Sequence, residues 1–369
     1  MKTKKIKIGV DVTALIYSNK VTGIERVIVE TNKNLFKVLD SEVYELHPFT
    51  VASGIEGHEH IHPYLLSDPV FTKPLVELRD CDILLFGGIN LNIPFKEILD
   101  LKKKNKIKIL SFIYDILPLT YPESLPDAVT SAGRAVNLSG KNFFRFYLQA
   151  MFSLSDHVIL NSKHVEDEIS RLRWNVKPTI TVIPLGAFDS QVMVSRPITS
   201  ACHGVYVSTL AARKGHEELL DAFNLLWDEG FDCTLTLIGG RGWKIDAVLE
   251  KIENHPLKDI KLFWRQNLVD FEVDEIYAAS NIAFCVSEAE GFGLSLEEGL
   301  SKGLKVIARD IPVFRERDYL NLYFFSGGAK ELSDKIREVS VLPTKPLKPN
   351  EIRTMTSFAN EVSQIIKLL

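Results

Sequence analysis

The sequence predicts an α/β protein of two doubly wound domains, each a parallel sheet with helices on both faces. Three observations carry this. Short apolar runs alternate with stretches of helical period along the whole chain. Several of the runs end in glycine turns, Phe86-Gly87-Gly88 and Ile238-Gly239-Gly240 among them. A length of 369 residues is long for one hydrophobic core and natural for two.

In order, Ile6 to Val12 reads as a buried strand, followed by a polar loop from Tyr17 to Gly23 and a helical pattern from Ile24 to Leu39. Gly23 stands at that loop–helix junction, where a helix-start glycine is a sufficient explanation on its own. Asp82 to Gly88 and Lys108 to Asp115 give two more strands. Asp115 lies at a strand end, where doubly wound sheets bind ligands. It can bind a hydroxyl there or shape the turn before Pro118. Residues 139–152 mix aromatic and basic side chains at helical spacing. The pattern fits a core helix, and it also fits contact with a lipid-linked acceptor or a membrane surface. Val158 to Ser162 and Ile180 to Gly186 complete the first set of strands, and Ala187 to Ser200 reads as a linker.

A second set begins at His203. Its first strand passes Ser208 and runs into Arg213-Lys214-Gly215-His216 before a helix. A basic pair between a strand and a helix start suits a diphosphate, with Arg giving paired donors and Lys a point charge. A solvated surface pair is the alternative. Strands over 234–238 and 260–264 follow, the second leading into Arg265. Residues 342–349 are proline-rich, and 350–369 form a last amphipathic helix. The boundaries expected are 1–195 plus 350–369 for the first domain and 196–349 for the second.

Composition narrows the function. A net charge of −4 argues against general nucleic-acid binding. The four cysteines, Cys81, Cys202, Cys233 and Cys285, have no pairing or metal-like spacing and read as buried thiols in a reducing compartment. No run is long enough for a transmembrane helix. The basic start is followed by Asp11, which marks a first strand and not a signal peptide. A cytoplasmic setting is expected, with peripheral contact on the inner face of the cell membrane as an extension of it.

The organising stretch is Glu290-Gly291-Phe292-Gly293-Leu294-Ser295-Leu296-Glu297-Glu298, after the apolar run Ile282 to Val286. It reads as strand, glycine turn and helix start, which is an anion site by geometry and dipole. Two carboxylates beside it suit a sugar hydroxyl next to a phosphate. Ser295-x-x-Glu298 is also a capping box by spacing, which would give Glu298 a purely structural task.

An acidic residue, Gly-Phe-Gly and a glutamate eight positions on resembles the signature of retaining glycosyltransferases of the family-four type. The tail Gly303 to Glu316 continues the likeness, and Ser295 stands where a proline is common. The resemblance implies the GT-B fold, two Rossmann-like domains facing a central cleft, with the last helix crossing back onto the first domain and a hinge at the two crossings. It implies that Arg213, Lys214, Glu298, Gly291, Phe292, Gly293, Leu294, Gly23, Ser208 and Arg265 bind the donor, with Glu290 and Asp115 as catalytic residues. Tyr114 stands where many relatives carry histidine.

The function expected is a retaining hexosyltransferase, mannose being the best match. It would move the sugar from a GDP- or UDP-linked donor to a growing glycan or lipid-linked acceptor in lipopolysaccharide or capsule assembly. The chain shows no Asp-x-Asp in a suitable loop, so fixed cations in place of a metal, and no cofactor, are expected to meet the leaving diphosphate. The alternatives are a nucleotide-sugar epimerase of the same fold, and a non-catalytic sugar-nucleotide-binding partner of another transferase. An NAD-dependent oxidoreductase ranks below both, because the glycine turns lack the dinucleotide order.

Overall fold

The computed structural model describes residues 4–17, 23–50, 76–88, 93–122, 129–131, 134–136, 141–175, 178–188, 202–345 and 351–369. Most of the expected linker, the centre of the loop after Tyr17 and the end of the proline-rich stretch lie outside these residues. The chain divides into two compact units. The first takes in Met1–Pro122, Asp127–Gly186 and Thr354–Leu369, and the second Ala187–Arg353.

The first unit contains strands β1 (Ile6–Asp11), β2 (Tyr44–Phe49), β3 (Ile83–Phe86), β4 (Lys108–Ile113), β5 (Val129–Ser131), β6 (Arg134–Val136), β7 (His157–Leu160) and β8 (Thr179–Val182). Six of them form one sheet in the order β2-β1-β3-β4-β7-β8, every pair parallel. β5 and β6 make a separate antiparallel pair. The Ile-Leu-Leu-Phe of β3 and the His-Val-Ile-Leu of β7 are buried at every position, as strands covered on both faces must be.

Helix Lys141–Leu154 packs one face into this core through Phe144, Tyr147, Leu148, Met151 and Phe152. The core-helix reading of this stretch therefore holds for that face. Phe146, on the other side, is 59% exposed and meets the ring of Phe95 edge-on at 6.2 Å. Helix Met355–Leu368 buries Phe358, Val362 and Ile366, and Phe358 meets the ring of Phe112 at 5.9 Å. Its first turn is tied to helix Gly23–Val38, where Thr356 Oγ1 donates to Asn34 Oδ1 at 2.7 Å.

The second unit contains β9 (Cys202–Val207), β10 (Cys233–Ile238), β11 (Leu262–Arg265), β12 (Ile282–Cys285), β13 (Lys305–Arg309) and β14 (Leu322–Phe325). They form a parallel sheet in the order β11-β10-β9-β12-β13-β14. That is the strand order of the dinucleotide-binding fold, with its reversal point between β9 and β12. One face is filled by Phe223, Leu235, Phe284 and Ile307, the other by Val205, Leu296, Val306 and Phe314. Lys305 is buried where β13 begins, and its ammonium donates to the carbonyls of Val339, Ser340 and Leu342 at 2.7–3.0 Å. It closes the C-terminal end of helix Ala329–Ser340, where such orphan carbonyls collect. All four cysteines are free and buried. Among the described residues no helix is long and apolar enough to cross a membrane.

At the close of the first unit, Gly186 lies directly against the backbone of Thr354, so that an added Cβ would overlap the Thr354 carbonyl group. Gly186→Ala is expected to destabilise the first unit by about 1–3 kcal/mol, the usual cost of overpacking against atoms that cannot give way. Urea unfolding followed by far-UV circular dichroism measures it, and a variant as stable as the parent would show that the backbone yields there.

Candidate active site

The reversal point brings two loops together. β9 leads through Ser208 to the short turn Ala212–Lys214 and helix His216–Asp228, while β12 leads through Ser287 to Glu290. The loops are bonded to each other, Glu288 N–H donating to Arg213 O at 2.8 Å. Gly215 has φ +70°, and a Cβ there would strike the carbonyl of Val286, so this junction admits only glycine. Tyr206 rises from β9 to link both sides. Its hydroxyl donates to Lys214 O at 2.9 Å and lies 3.0 Å from Ser287 Oγ.

His216 opens the helix, buried, with its ring centred 4.8 Å from that of Tyr206. Burial, reinforced by the Lys214 charge, pushes its pKa down to about 3, so it stays neutral and serves as packing.

Glu290 is held by both members of the basic pair. Lys214 Nζ is paired with its Oε1, and Arg213 Nη1 lies 3.2 Å from its Oε2. Arg213 Nη1 also donates to Ala289 O at 2.7 Å, and Ser287 hydrogen-bonds the carboxylate. Burial alone would raise the Glu290 pKa. Lys214 and then Arg213 outweigh it and hold the group at about 2. For Lys214 the balance reverses: burial outweighs the attraction of Glu290, Arg213 adds to it, and the ammonium pKa is lowered. The two directions look contradictory for one ion pair, but they follow from the count. Glu290 faces two cations, whereas Lys214 faces one anion and a like charge. The cluster keeps one net positive charge, at the place where sheets of this order bind ligands.

The turn that follows is fixed sterically. Gly293 has φ +95°, and a Cβ on it would overlap the ring of Phe314. Helix Leu294–Ser301 begins there with Gly293 as N-cap and no side-chain cap. The capping-box reading of Ser295 and Glu298 is thus corrected. The helix starts two residues earlier than that box requires, and Ser295 lies within it, its Oγ 3.4 Å from Cys285 Sγ. Glu298 comes one turn further on, buried, and Tyr277 OH donates to its Oε2 at 3.4 Å.

The structure therefore brings Arg213, Lys214, Glu290, Gly291, Phe292, Gly293, Leu294 and Glu298 onto the carboxyl side of β9 and β12. Ser208 lies just beyond β9, its N–H donating to Ile238 O at 2.8 Å. Arg265 is not brought in. It ends β11, two strands from β9, with its guanidinium 3.2 Å from Asp259 and over the ring of Phe263. Gly23 and Asp115 belong to the first unit. Asp115 Oδ1 accepts from Leu117 N–H at 3.0 Å, the bond of a turn residue. Tyr114 is buried with its hydroxyl donating to Gly87 O at 2.7 Å, and burial pushes its pKa far up. Sequence reasoning missed Tyr206 and Ser287. Within apolar strand runs, nothing distinguishes a tyrosine that bridges two loops from one that only fills the core.

The Glu290 pKa falls from 4.5 to about 2 on folding. A depressed carboxylate stabilises fully above its unfolded pKa and loses that contribution as pH drops through the folded one. Glu290→Gln also strands two buried cations, so a loss of about 3 kcal/mol is expected at neutral pH. The difference between parent and variant in urea unfolding should narrow as pH falls from about 5 toward 2. A difference that does not change with pH would contradict the ion-pair account.

Residues 204–352 match the family model of glycosyl transferases group 1. Over 351 residues the chain is 31% identical to the serotype-specific mannosyltransferase WbdA of Escherichia coli, across 88% of this chain and 41% of the relative. It is 29% identical over 118 residues to the O-antigen chain mannosyltransferase B of Escherichia coli, covering 31% of this chain and 30% of that protein. The chain spans about two fifths of the length of the WbdA proteins it matches. Among solved structures, Anabaena Alr3699/HepE in complex with UDP and glucose is similar with a TM-score of 0.62 at 16% identity, over 98% of this chain and 99% of that one. A glycosyltransferase from Rickettsia africae is similar with a TM-score of 0.64 at 16% identity, over 99% of both chains. At such identity the likeness is one of fold, the two-domain α/β architecture called GT-B. The match to the glycosyl transferases group 1 model lies wholly within the second unit.

Proposed function

We propose that the chain is a retaining glycosyltransferase that moves a hexose, mannose in the first instance, from a GDP- or UDP-linked donor to a growing glycan or lipid-linked acceptor in bacterial surface polysaccharide assembly. The observation that carries this is the cluster at the reversal point between β9 and β12: two cations, one carboxylate and a glycine-capped helix start. The likeness to WbdA and to an O-antigen mannosyltransferase supports mannose and the polysaccharide setting.

In this reading the bond between the anomeric carbon and the diphosphate breaks, and its electrons pass to the phosphate oxygen. Arg213 and Lys214, carrying one positive charge beyond Glu290, stabilise that developing negative charge without a metal. Glu290 orients hydroxyls of the donor sugar, and Glu298 accepts from the ribose. The acceptor hydroxyl attacks on the face that the phosphate leaves and gives its proton to the departing oxygen, so configuration is kept. Gly291, Phe292, Gly293, Leu294 and Ser208 shape the donor site. Gly23 and Asp115 keep, as part of the proposal, the donor-binding and sugar-hydroxyl roles that the resemblance implies, and Arg265, outside the cluster at the end of β11, is assigned to the nucleotide base. No further cofactor takes part.

GDP or UDP is expected to raise the thermal midpoint of the purified chain, at saturation by about 2–3 kcal/mol of stabilisation, and the effective nucleotide names the base. Glu298→Ala and Arg213→Ala should lose that shift. No shift at millimolar nucleotide would overturn the donor site. Release of the nucleotide should require acceptor and survive chelation. Turnover of donor alone would point to epimerase chemistry, and activity restored only by a metal would refute the fixed-cation account.

A peripheral membrane contact is part of the proposal. It is supported by Phe146, exposed beside the exposed Arg145 on helix Lys141–Leu154. Phe146→Ala should reduce co-sedimentation with anionic liposomes. Equal sedimentation of parent and variant, or none of either, removes the contact.

A further inference from the structure

Beneath the Gly-Phe-Gly turn lies an ion pair that the proposed chemistry does not use. Arg317 and Glu297 are almost fully enclosed, their side chains 6% and 3% exposed, with Arg317 Nε 3.0 Å from Glu297 Oε1. Tyr319 OH donates to Glu297 Oε2 at 3.1 Å, and Arg317 Nη1 donates to Val313 O. The guanidinium carbon sits 4.0 Å from the centre of the Phe292 ring. Arg317 Nη2 is buried with no hydrogen-bond partner.

Such a pair is a poor route to stability. Two charges leave water, one donor is unmatched, and apolar side chains of similar volume would commonly serve as well. What the pair does supply is geometry. It joins three pieces: the segment 313–319, the ring of Phe292 in the turn, and the helix at Glu297. Glu290 lies two residues before that ring, and Glu298 follows Glu297 directly. The same segment supplies Phe314, against which Gly293 is seated. One stretch of chain thus fixes the turn at two successive residues.

We propose that Arg317 and Glu297 are positioning residues that lock the turn Gly291–Leu294 onto its helix and so set the separation of Glu290 and Glu298. This rests on the donor-binding role proposed for those two carboxylates. The pair itself contacts neither substrate.

The test is the paired variant Glu297→Leu with Arg317→Met, which removes both charges and leaves none stranded. It is expected to unfold cooperatively. Amide hydrogen exchange should be faster in peptides covering residues 290–298 and unchanged over β10 and β11. The donor KM should rise about tenfold or more with a smaller change in kcat, the scale expected when a binding geometry loosens. Unchanged exchange over 290–298 overturns the proposal, and so does faster exchange with an unchanged KM. If the paired variant does not fold, Arg317→Lys, which keeps the charge but not the planar fork, is judged by the same two readouts. Exchange is read without ligand. A parent chain that binds no nucleotide therefore sinks the proposed function and leaves the exchange result to judge the pair.

Discussion

The second unit depends on one electrostatic arrangement: a buried carboxylate, Glu290, shared between Arg213 and Lys214. Neither loop could hold its charges alone. A lone buried carboxylate would protonate, and a lone buried lysine would deprotonate. Each is kept ionised by a partner that the other loop supplies. The two loops meet because β9 and β12 are neighbours in the sheet while their helices leave on opposite faces. Gly215 and Tyr206 then fix the spacing, one by allowing contact and the other by bonding across it.

Much of this was legible in the sequence. Buried parallel strands are near-continuous apolar runs, so Ile282 to Cys285 and Ile83 to Phe86 announce themselves. Arg213-Lys214 and Glu290 to Glu298 stand where strands end and helices begin, and that placement survives in the structure. The pairing of Glu290 with the basic residues did not show, because 76 positions separate the two motifs and only the sheet order joins them. The capping box misled for a local reason. Ser295 and Glu298 have the right spacing, but the helix is started by Gly293, whose left-handed backbone and closeness to the Phe314 ring leave no room for a side chain.

Glu297 and Arg317 show a different limit. Read along the chain, Glu297 looks like a solvated neighbour of Glu298, and Arg317 like one charge in Arg315-Glu316-Arg317-Asp318. Helix Leu294–Ser301 is buried from Leu296 to Ser301, so no polar face was available to receive Glu297. Arg315 next door is exposed and pairs with Asp310. Charge alone cannot tell these two arginines apart. What separates them is which side of a short turn faces Phe292.

The return of Thr354–Leu369 to the first unit makes the second unit an insertion within the first. The chain enters and leaves the insertion side by side, Ala187 N–H donating to Arg353 O at 2.8 Å. During synthesis from the ribosome, Ala187–Arg353 is complete before the helix that covers Phe112 has been made. The half that is translated first is therefore finished last, and until then it carries an uncovered apolar face through the time needed to make the whole insertion. Errors of maturation should concentrate in the N-terminal half, even though every one of its strands emerges early.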